Sequence, residues 1–319
     1  MPSAQWLGRF VAVLYLSFLF AQVAARNVPS NVRKFYNDLK NGTGGCSKKL
    51  ATGFWSSDSG SNSFSYCEDW LSSYGIIYIK GSGSAFANMD VDCDGAPGGS
   101  ADDGRCGKSN DTQSITAFQW LVEGYGKGIS DLNARVHPYV VFGNTGKKKG
   151  WKKFDPQQYG IEPLSVMAVV CGKKLIFGVW GDMNGDDGDH PLVGEASISL
   201  ATACFGKGIN GNSGHDEDDV LYIAFTGARA VPGAKGADWA AKDYADFEKS
   251  IEGLGNSLVA KIGGTKSGGG NPGGGKGGGG NDSGQNCEWP GHCAGSACKS
   301  DDDCSGSLAC VNLFCSPDP

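Results

Sequence analysis

Positive charge is scarce in this 319-residue chain. Its 28 Lys and Arg stand against 34 Asp and Glu, a net charge of −6. Without a basic surface to neutralise phosphates, a nucleic-acid partner has no electrostatic footing. Long apolar runs are absent after the first 25 residues, so no later segment reads as a membrane span. Several familiar catalytic signatures are missing as well. None of the four His opens an HExxH zinc pair, and no serine sits in a GxSxG elbow. GNTGKKKG (143–150) lacks the Ser or Thr that follows Gly-Lys in a phosphate-binding loop.

What is present begins with a leader. Arg9 precedes an apolar run from Phe10 to Phe20, and Val23-Ala24-Ala25 offers a small-residue cleavage pattern. Residues 1–25 are therefore expected to be a secretory signal peptide, since a membrane anchor needs ~20 apolar residues and this run is shorter. Its removal takes away only Arg9, leaving 27 basic against 34 acidic residues, or −7. A secreted, extracellular destination gives meaning to the 12 cysteines, an even number suited to disulfides. Cys46, Cys67, Cys93, Cys106, Cys171 and Cys204 are spread over the body, whereas Cys287, Cys293, Cys298, Cys304, Cys310 and Cys315 crowd the end. The sequons at Asn41, Asn110 and Asn281 fit glycosylation in the same compartment.

Residues 263–286 divide the chain. Thirteen of these 24 positions are glycine and none is a large apolar residue, the composition of a flexible linker with a root-mean-square reach of about 25–30 Å. The expected domains are thus a body over 26–262 and a six-cysteine module over 287–319. That module is too short for a hydrophobic core and must rely on disulfides, whose connectivity sequence cannot choose.

The body reads as α+β and β-rich, an antiparallel or barrel-like sheet pinned by disulfides. Ser30 is expected to cap a helix carrying Val32, Phe35, Tyr36 and Leu39 on one face. Asp238 is expected to cap a second, bearing Ala240, Tyr244, Phe247, Ile251, Leu254 and Leu258. Between them, strands are predicted at 76–80, 114–122, 134–142, 163–171, 174–180, 195–200 and 220–225.

The chemistry concentrates in GDMNGDDGDHPLVGEASISLA (181–201). A calcium-loop reading fails in either register. Starting at Asp182 puts Asp187 where glycine belongs and Val193 where glutamate belongs; starting at Asn184 puts Asp189 in the glycine position. Strand alternation suggests instead a hairpin with Asp182 and Glu195 on one polar face at the two lips of a loop, and Trp180 beside them as a platform for a sugar ring. Two carboxylates across a groove meet the requirement for glycosidic bond cleavage, although acidic hairpin loops are also often merely solvated. Asp90, Asp92 and Asp94 in NMDVDCDG (88–95) project to one side if extended. Three readings stand for them: a solvated, disulfide-linked turn, a metal site weakened by Ala101 at the twelfth position, or a cleft lining that grips ammonium groups. GHDEDD (214–219) reads as a solvated turn, and His190 as a surface residue able to tune a carboxylate.

The stretch from Trp180 to Ala201, together with NMDVDCDG, DDGRC (102–106) and FYNDLKNGTGGCSKKLATGFWSS (35–57), resembles the fungal chitosanases of glycoside hydrolase family 75, over essentially residues 30–262. The resemblance implies a secreted endo-acting hydrolase of β-1,4-linked glucosamine polymer that inverts the anomeric centre, with one Asp and one Glu as its catalytic pair. Those roles fall on Asp182 and Glu195; the longer side chain suggests Glu195 as acid and Asp182 as base. No cofactor or metal is implied. The expected partner is chitosan, with chitin or the fungal cell wall as further surfaces, and no nucleic acid or membrane; the protein is expected to be a monomer. The tail resembles small cysteine-rich modules on fungal chitin-active enzymes, implying polysaccharide binding through Trp289, His292 or Phe314, although Trp289 and Phe314 equally suit its core. Two other readings remain open: a glycosidase preferring partly acetylated polymer, and a non-catalytic carbohydrate-binding protein.

Overall fold

β-Branched and aromatic runs separated by glycine-rich turns give the body ten strands. The computed structural model describes residues 26–263, apart from Gly44, Lys108, Asn110, Asp111 and Asp187, together with the strand segments 308–311 and 314–317. In chain order the strands are β1 (Arg26–Asn27), β2 (Lys49–Phe54), β3 (Phe64–Cys67), β4 (Ile76–Lys80), β5 (Ala87–Asp92), β6 (Tyr139–Asn144), β7 (Val166–Cys171), β8 (Lys174–Asn184), β9 (Glu195–Ser197) and β10 (His215–Phe225). The helices are α1 (Ser30–Lys40), α2 (Leu71–Tyr74), α3 (Gln119–Gly124), α4 (Ile198–Phe205) and α5 (Tyr244–Val259).

Six of the strands close on themselves. β8 pairs with β6, β6 with β9, β9 with β5, β5 with β10, β10 with β7, and β7 returns to β8. The barrel-like alternative is therefore the one that forms, but the sheet is mixed rather than antiparallel, because β5–β9 and β6–β8 run parallel. β4, β3 and β2 extend the sheet beyond β10. Every residue of β7 is buried, as is the central run of β8, which accounts for their unbroken apolar sequence. Trp180, Tyr139, Phe142 and Phe177 are among the largest fully buried side chains. β1 lies along β8, and Arg26 pairs with the buried Glu248 of α5 at 2.7 Å.

Several sequence expectations need correction. Ser30 is the first residue of α1 rather than its cap; Pro29 holds the cap position, and no side-chain cap bond forms. α5 is capped by Asp243, whose side chain accepts from the backbone N–H groups of Ala245 and Asp246, so Asp238 and Ala240 lie outside it. Residues 114–122 are not a strand: Thr116 is tied through its N–H (2.8 Å) and hydroxyl (2.6 Å) to buried Asp131, and α3 starts at Gln119. The segment 134–142 becomes extended only at Tyr139. Only Glu195–Ser197 of 195–200 is strand, because the Ser197 hydroxyl caps α4 by accepting from Leu200. GHDEDD enters β10 with an irregularity between His215 and Val220.

The six body cysteines form Cys46–Cys67, Cys93–Cys106 and Cys171–Cys204. Among the described residues no helix is long and apolar enough to cross a membrane. Residues 1–25 and linker residues 264–286 lie outside the described residues, as do Trp289 and His292. In the tail, β11 (Leu308–Val311) and β12 (Phe314–Pro317) pair antiparallel, with Phe314 opposite Val311.

Candidate active site

Asp182 and Glu195 do not face each other across a hairpin. β6 lies between their strands, and Val141 is the register partner of both. Glu195 is in turn the partner of Asp90 on β5. A transverse row Asp182–Val141–Glu195–Asp90 therefore crosses four neighbouring strands, and residues in register share a face. All four line one cleft of about 490 Å³.

The row depends on a bulge. Val140 pairs with Trp180 while the next residue, Val141, pairs with Asp182, leaving Gly181 unpaired. The extra residue reverses the alternation, sending Trp180 and Asp182 to opposite faces. Trp180 is consequently 0% exposed, packed edge-on against Phe118 with ring centroids 4.7 Å apart. Its indole N–H donates to the Asp182 carbonyl at 3.0 Å. The platform role expected for Trp180 is thus overturned; it supports the Asp182 backbone from within the core. Only glycine fits at the bulge, since a Cβ on Gly181 would lie 2.6 Å from Tyr139 Cβ and 2.7 Å from Leu132 Cδ1.

Asp90, Asp92 and Asp94 join the same cleft, which fits the lining reading and the cation-site reading alike, whereas the burial of Asp92 and Asp94 does not fit a solvated turn. Asp92 and Asp94 are buried at its floor; Asp92 accepts from the Asp94 N–H at 2.6 Å, and Asp94 from the Gln113 N–H at 2.5 Å. Asp92, Asp94 and Asp182 can each bring one oxygen within 4.8 Å of the others, close enough either to hold a cation or to retain protons. Asp58, which the sequence reading did not single out, and Asp216, read there only as part of a solvated turn, complete the lining. Among the described residues around the cleft there are seven carboxylates (Asp58, Asp90, Asp92, Asp94, Asp182, Glu195, Asp216) and no Lys or Arg. Such a surface attracts cations.

Crowding of carboxylates has electrostatic consequences. Burial raises the pKa of Asp182 well above the ordinary carboxylate range, and Asp92 and Asp94 raise it further. Against this, Asp182 Oδ1 accepts from the N–H groups of Met183 (2.7 Å) and Ala117 (3.0 Å), which favour its ionised form. Glu195 is also raised well above its usual value, first by burial and then by Asp92, Asp90, Asp182 and Asp94; every one of these influences acts upward. Asp90 is pushed up to about 6, mainly by burial. Of the two principal carboxyls, Glu195 is the better placed to keep a proton and Asp182 the better placed to lose one.

The loop between β8 and β9 is fastened at both ends. Asp186 accepts from the backbone N–H groups of Lys147 and Lys148, which hold its carboxyl below the usual range. Trp55 N–H donates to Pro191 O at 3.1 Å, Val193 N–H donates to Trp55 O at 2.8 Å, and His190 stacks on the Trp55 ring at 3.9 Å. The acidic residues of the loop are thereby divided: Asp186 is structural, while Asp182 and Glu195 at its ends face the cleft. His190 is not a free surface residue but part of the cleft wall.

A family model described as "Fungal chitosanase of glycosyl hydrolase group 75" matches residues 89–261, spanning the whole carboxylate row. The chain belongs to this chitosanase family. It is 47% identical over 240 residues to an endo-chitosanase of Aspergillus oryzae, covering 74% of this chain and 92% of the relative. An endo-chitosanase of Aspergillus fumigatus is likewise 47% identical over 244 residues, covering 76% and 94%. Endo-chitosanase C of Aspergillus oryzae is 35% identical over 268 residues, covering 81% of this chain and 62% of that protein. The protein is a glycoside hydrolase of the chitosanase family, and every carboxylate of its acidic cleft except Asp58 falls within the matched region.

Proposed function

We propose that the protein is a secreted endo-chitosanase that hydrolyses β-1,4 bonds of glucosamine polymer with inversion, using Glu195 as general acid and Asp182 as general base. The observation that carries this reading is the position of both residues opposite Val141. Two strand spacings separate their backbones, about 9–10 Å. Inverting enzymes keep their carboxyl groups ~6.5–9.5 Å apart to admit a water, whereas retaining ones hold them ~5–5.5 Å apart.

In the proposed reaction Glu195 gives its proton to the glycosidic oxygen as the C1–O bond breaks. Asp182 takes a proton from a water molecule whose oxygen forms the new bond to C1 from the opposite face. The acid ends ionised and the base protonated, and the two exchange this proton with solvent before the next turnover. Asp90, Asp92, Asp94, Asp58 and Asp216 supply negative potential for the ammonium groups of the polymer, and charge-assisted hydrogen bonds suit that ligand. The cleft's carboxylate lining favours deacetylated over acetylated sugars, because an acetamide carries no charge to repay carboxylate desolvation.

Three body disulfides support passage through an oxidising compartment, in line with removal of residues 1–25 and export. Residues 287–319, with Trp289, His292 and Phe314, act in this reading as a polysaccharide anchor on the glycine-rich tether. Proton NMR of freshly cut chitosan tests the stereochemistry: the α-anomer is expected first, and initial β-anomer would assign a retaining reaction instead.

A further inference from the structure

Trp120 is 68% exposed, and Ile115 is 52% exposed; these are the exposed large apolar side chains among the described residues. An indole left in water is unusual for a side chain with so much area to bury. Here it stands on a segment that forms the cleft wall. Gln113 lines the cleft and its N–H holds Asp94, while the Ala117 N–H holds Asp182 at 3.0 Å. Phe118 then packs inward on Trp180, the ring that supports the Asp182 backbone. Trp120 follows two residues later in the first turn of α3, so the chain passes from the catalytic carboxylate to an outward indole within a single turn. Val122 of the same helix is buried, which accounts for the helix's anchoring without Trp120.

We infer that Trp120 is a sugar-binding platform outside the catalytic cleft, stacking on a glucosamine ring of the same polymer chain beyond the Asp182 side of the scissile bond. This rests on the chitosanase reading above. A β-1,4-linked pyranose presents C–H groups on its ring faces and hydroxyl and ammonium groups at its edges. The carboxylates of the cleft recognise the edges but offer nothing to the ring faces. An exposed indole supplies that missing surface, and its π-face attracts a neighbouring ammonium as well. The ligand class is a hexosamine unit of an extended chain rather than a free sugar, because Trp120 lies outside the residues lining the cleft.

The test compares wild type, Trp120→Ala and Trp120→Phe on chitosan oligomers of increasing length and on polymer. Loss of one stacking contact is expected to raise KM for polymer about 2- to 10-fold, with the effect growing with chain length and falling on KM rather than kcat. Phe should restore most of the affinity, since it keeps a ring face. An unchanged KM at every length would overturn the inference. So would an equal loss at all lengths that Phe does not restore, which would mark a packing role through Phe118. A wild type that self-associates in sedimentation, with Trp120→Ala returning it to monomer, would make the patch a contact between copies instead. Wild type inactive on chitosan but active on another polymer would sink the chitosanase reading itself, a result distinguishable from all of these.

Discussion

Each carboxyl in the cleft sets the proton affinity of its neighbours. Asp92 is the largest charged influence on both Asp182 and Glu195, and in each case it opposes ionisation. The rate requires Asp182 ionised and Glu195 protonated, so the acidic limb of the pH profile follows the base and the alkaline limb follows the acid. Neutralising Asp92 lets both groups ionise more easily. Asp92→Asn should therefore move both limbs of kcat/KM to lower pH; a profile that stays in place or moves upward would show that Asp92 does not act on the pair. Strand alternation anticipated that Asp182 and Glu195 share a polar face, although through a hairpin that does not form, and their catalytic roles were proposed from the family resemblance. Trp180 was misread because a two-residue alternation was carried through Gly181. The signal was present, since an isolated glycine in a strand pattern marks a bulge or a close backbone approach. Asp58 was passed over and Asp216 was read as part of a solvated turn, because their nearness to Asp90 is created by tertiary pairing, not by spacing.

At the scale of elements, the site is made by strand order. β6 inserted between β8 and β9 converts an expected hairpin into a spaced pair, and no local pattern announces that insertion. The closed ring of β5, β6, β7, β8, β9 and β10 then holds the spacing. Helix ends were the least legible feature. The stretch 195–200 reads as continuous strand, yet the Ser197 hydroxyl starts α4, because a serine can satisfy the first helical N–H groups. Gly181 is the point at which element geometry reaches the chemistry. Gly181→Ala forces a Cβ into Tyr139 and Leu132, and overpacking of this kind costs about 1–3 kcal/mol. A lowered Tm together with at least a tenfold fall in kcat, about 1.4 kcal/mol or more in barrier, is expected as Asp182 is displaced. Gly253→Ala in α5, where a Cβ would meet nothing within 4 Å, serves as the tolerated control. Wild-type activity and stability in Gly181→Ala would mean that the bulge does not position Asp182.

For the whole molecule, the glycine-rich segment 263–286 lies between the chitosanase-family body and the six-cysteine tail proposed as its anchor. A tether of this composition fixes no docking geometry but raises local concentration at a surface. Truncation after Ile262 is accordingly expected to leave turnover on soluble chitosan oligomers near wild type. Adsorption to chitin or cell-wall particles should fall, and activity on those solids with it. Equal adsorption of the two forms would remove the anchoring role. The domain division is proposed from the abrupt change of composition at 263, whereas the barrel-like sheet was readable because β-rich runs recur between glycine clusters. Strand order was not readable, since mixed parallel and antiparallel pairing is decided by contacts far apart in sequence.

The proposed reaction rests on Asp182 and Glu195 as the pair that cleaves the polymer. Reducing-end release from chitosan by Asp182→Asn and Glu195→Gln, each confirmed folded by circular dichroism and Tm, tests it most directly. Both variants are expected to lose at least ~100-fold in kcat, the range of a missing acid or base catalyst. A folded variant that keeps most of its activity would contradict the assignment of that residue.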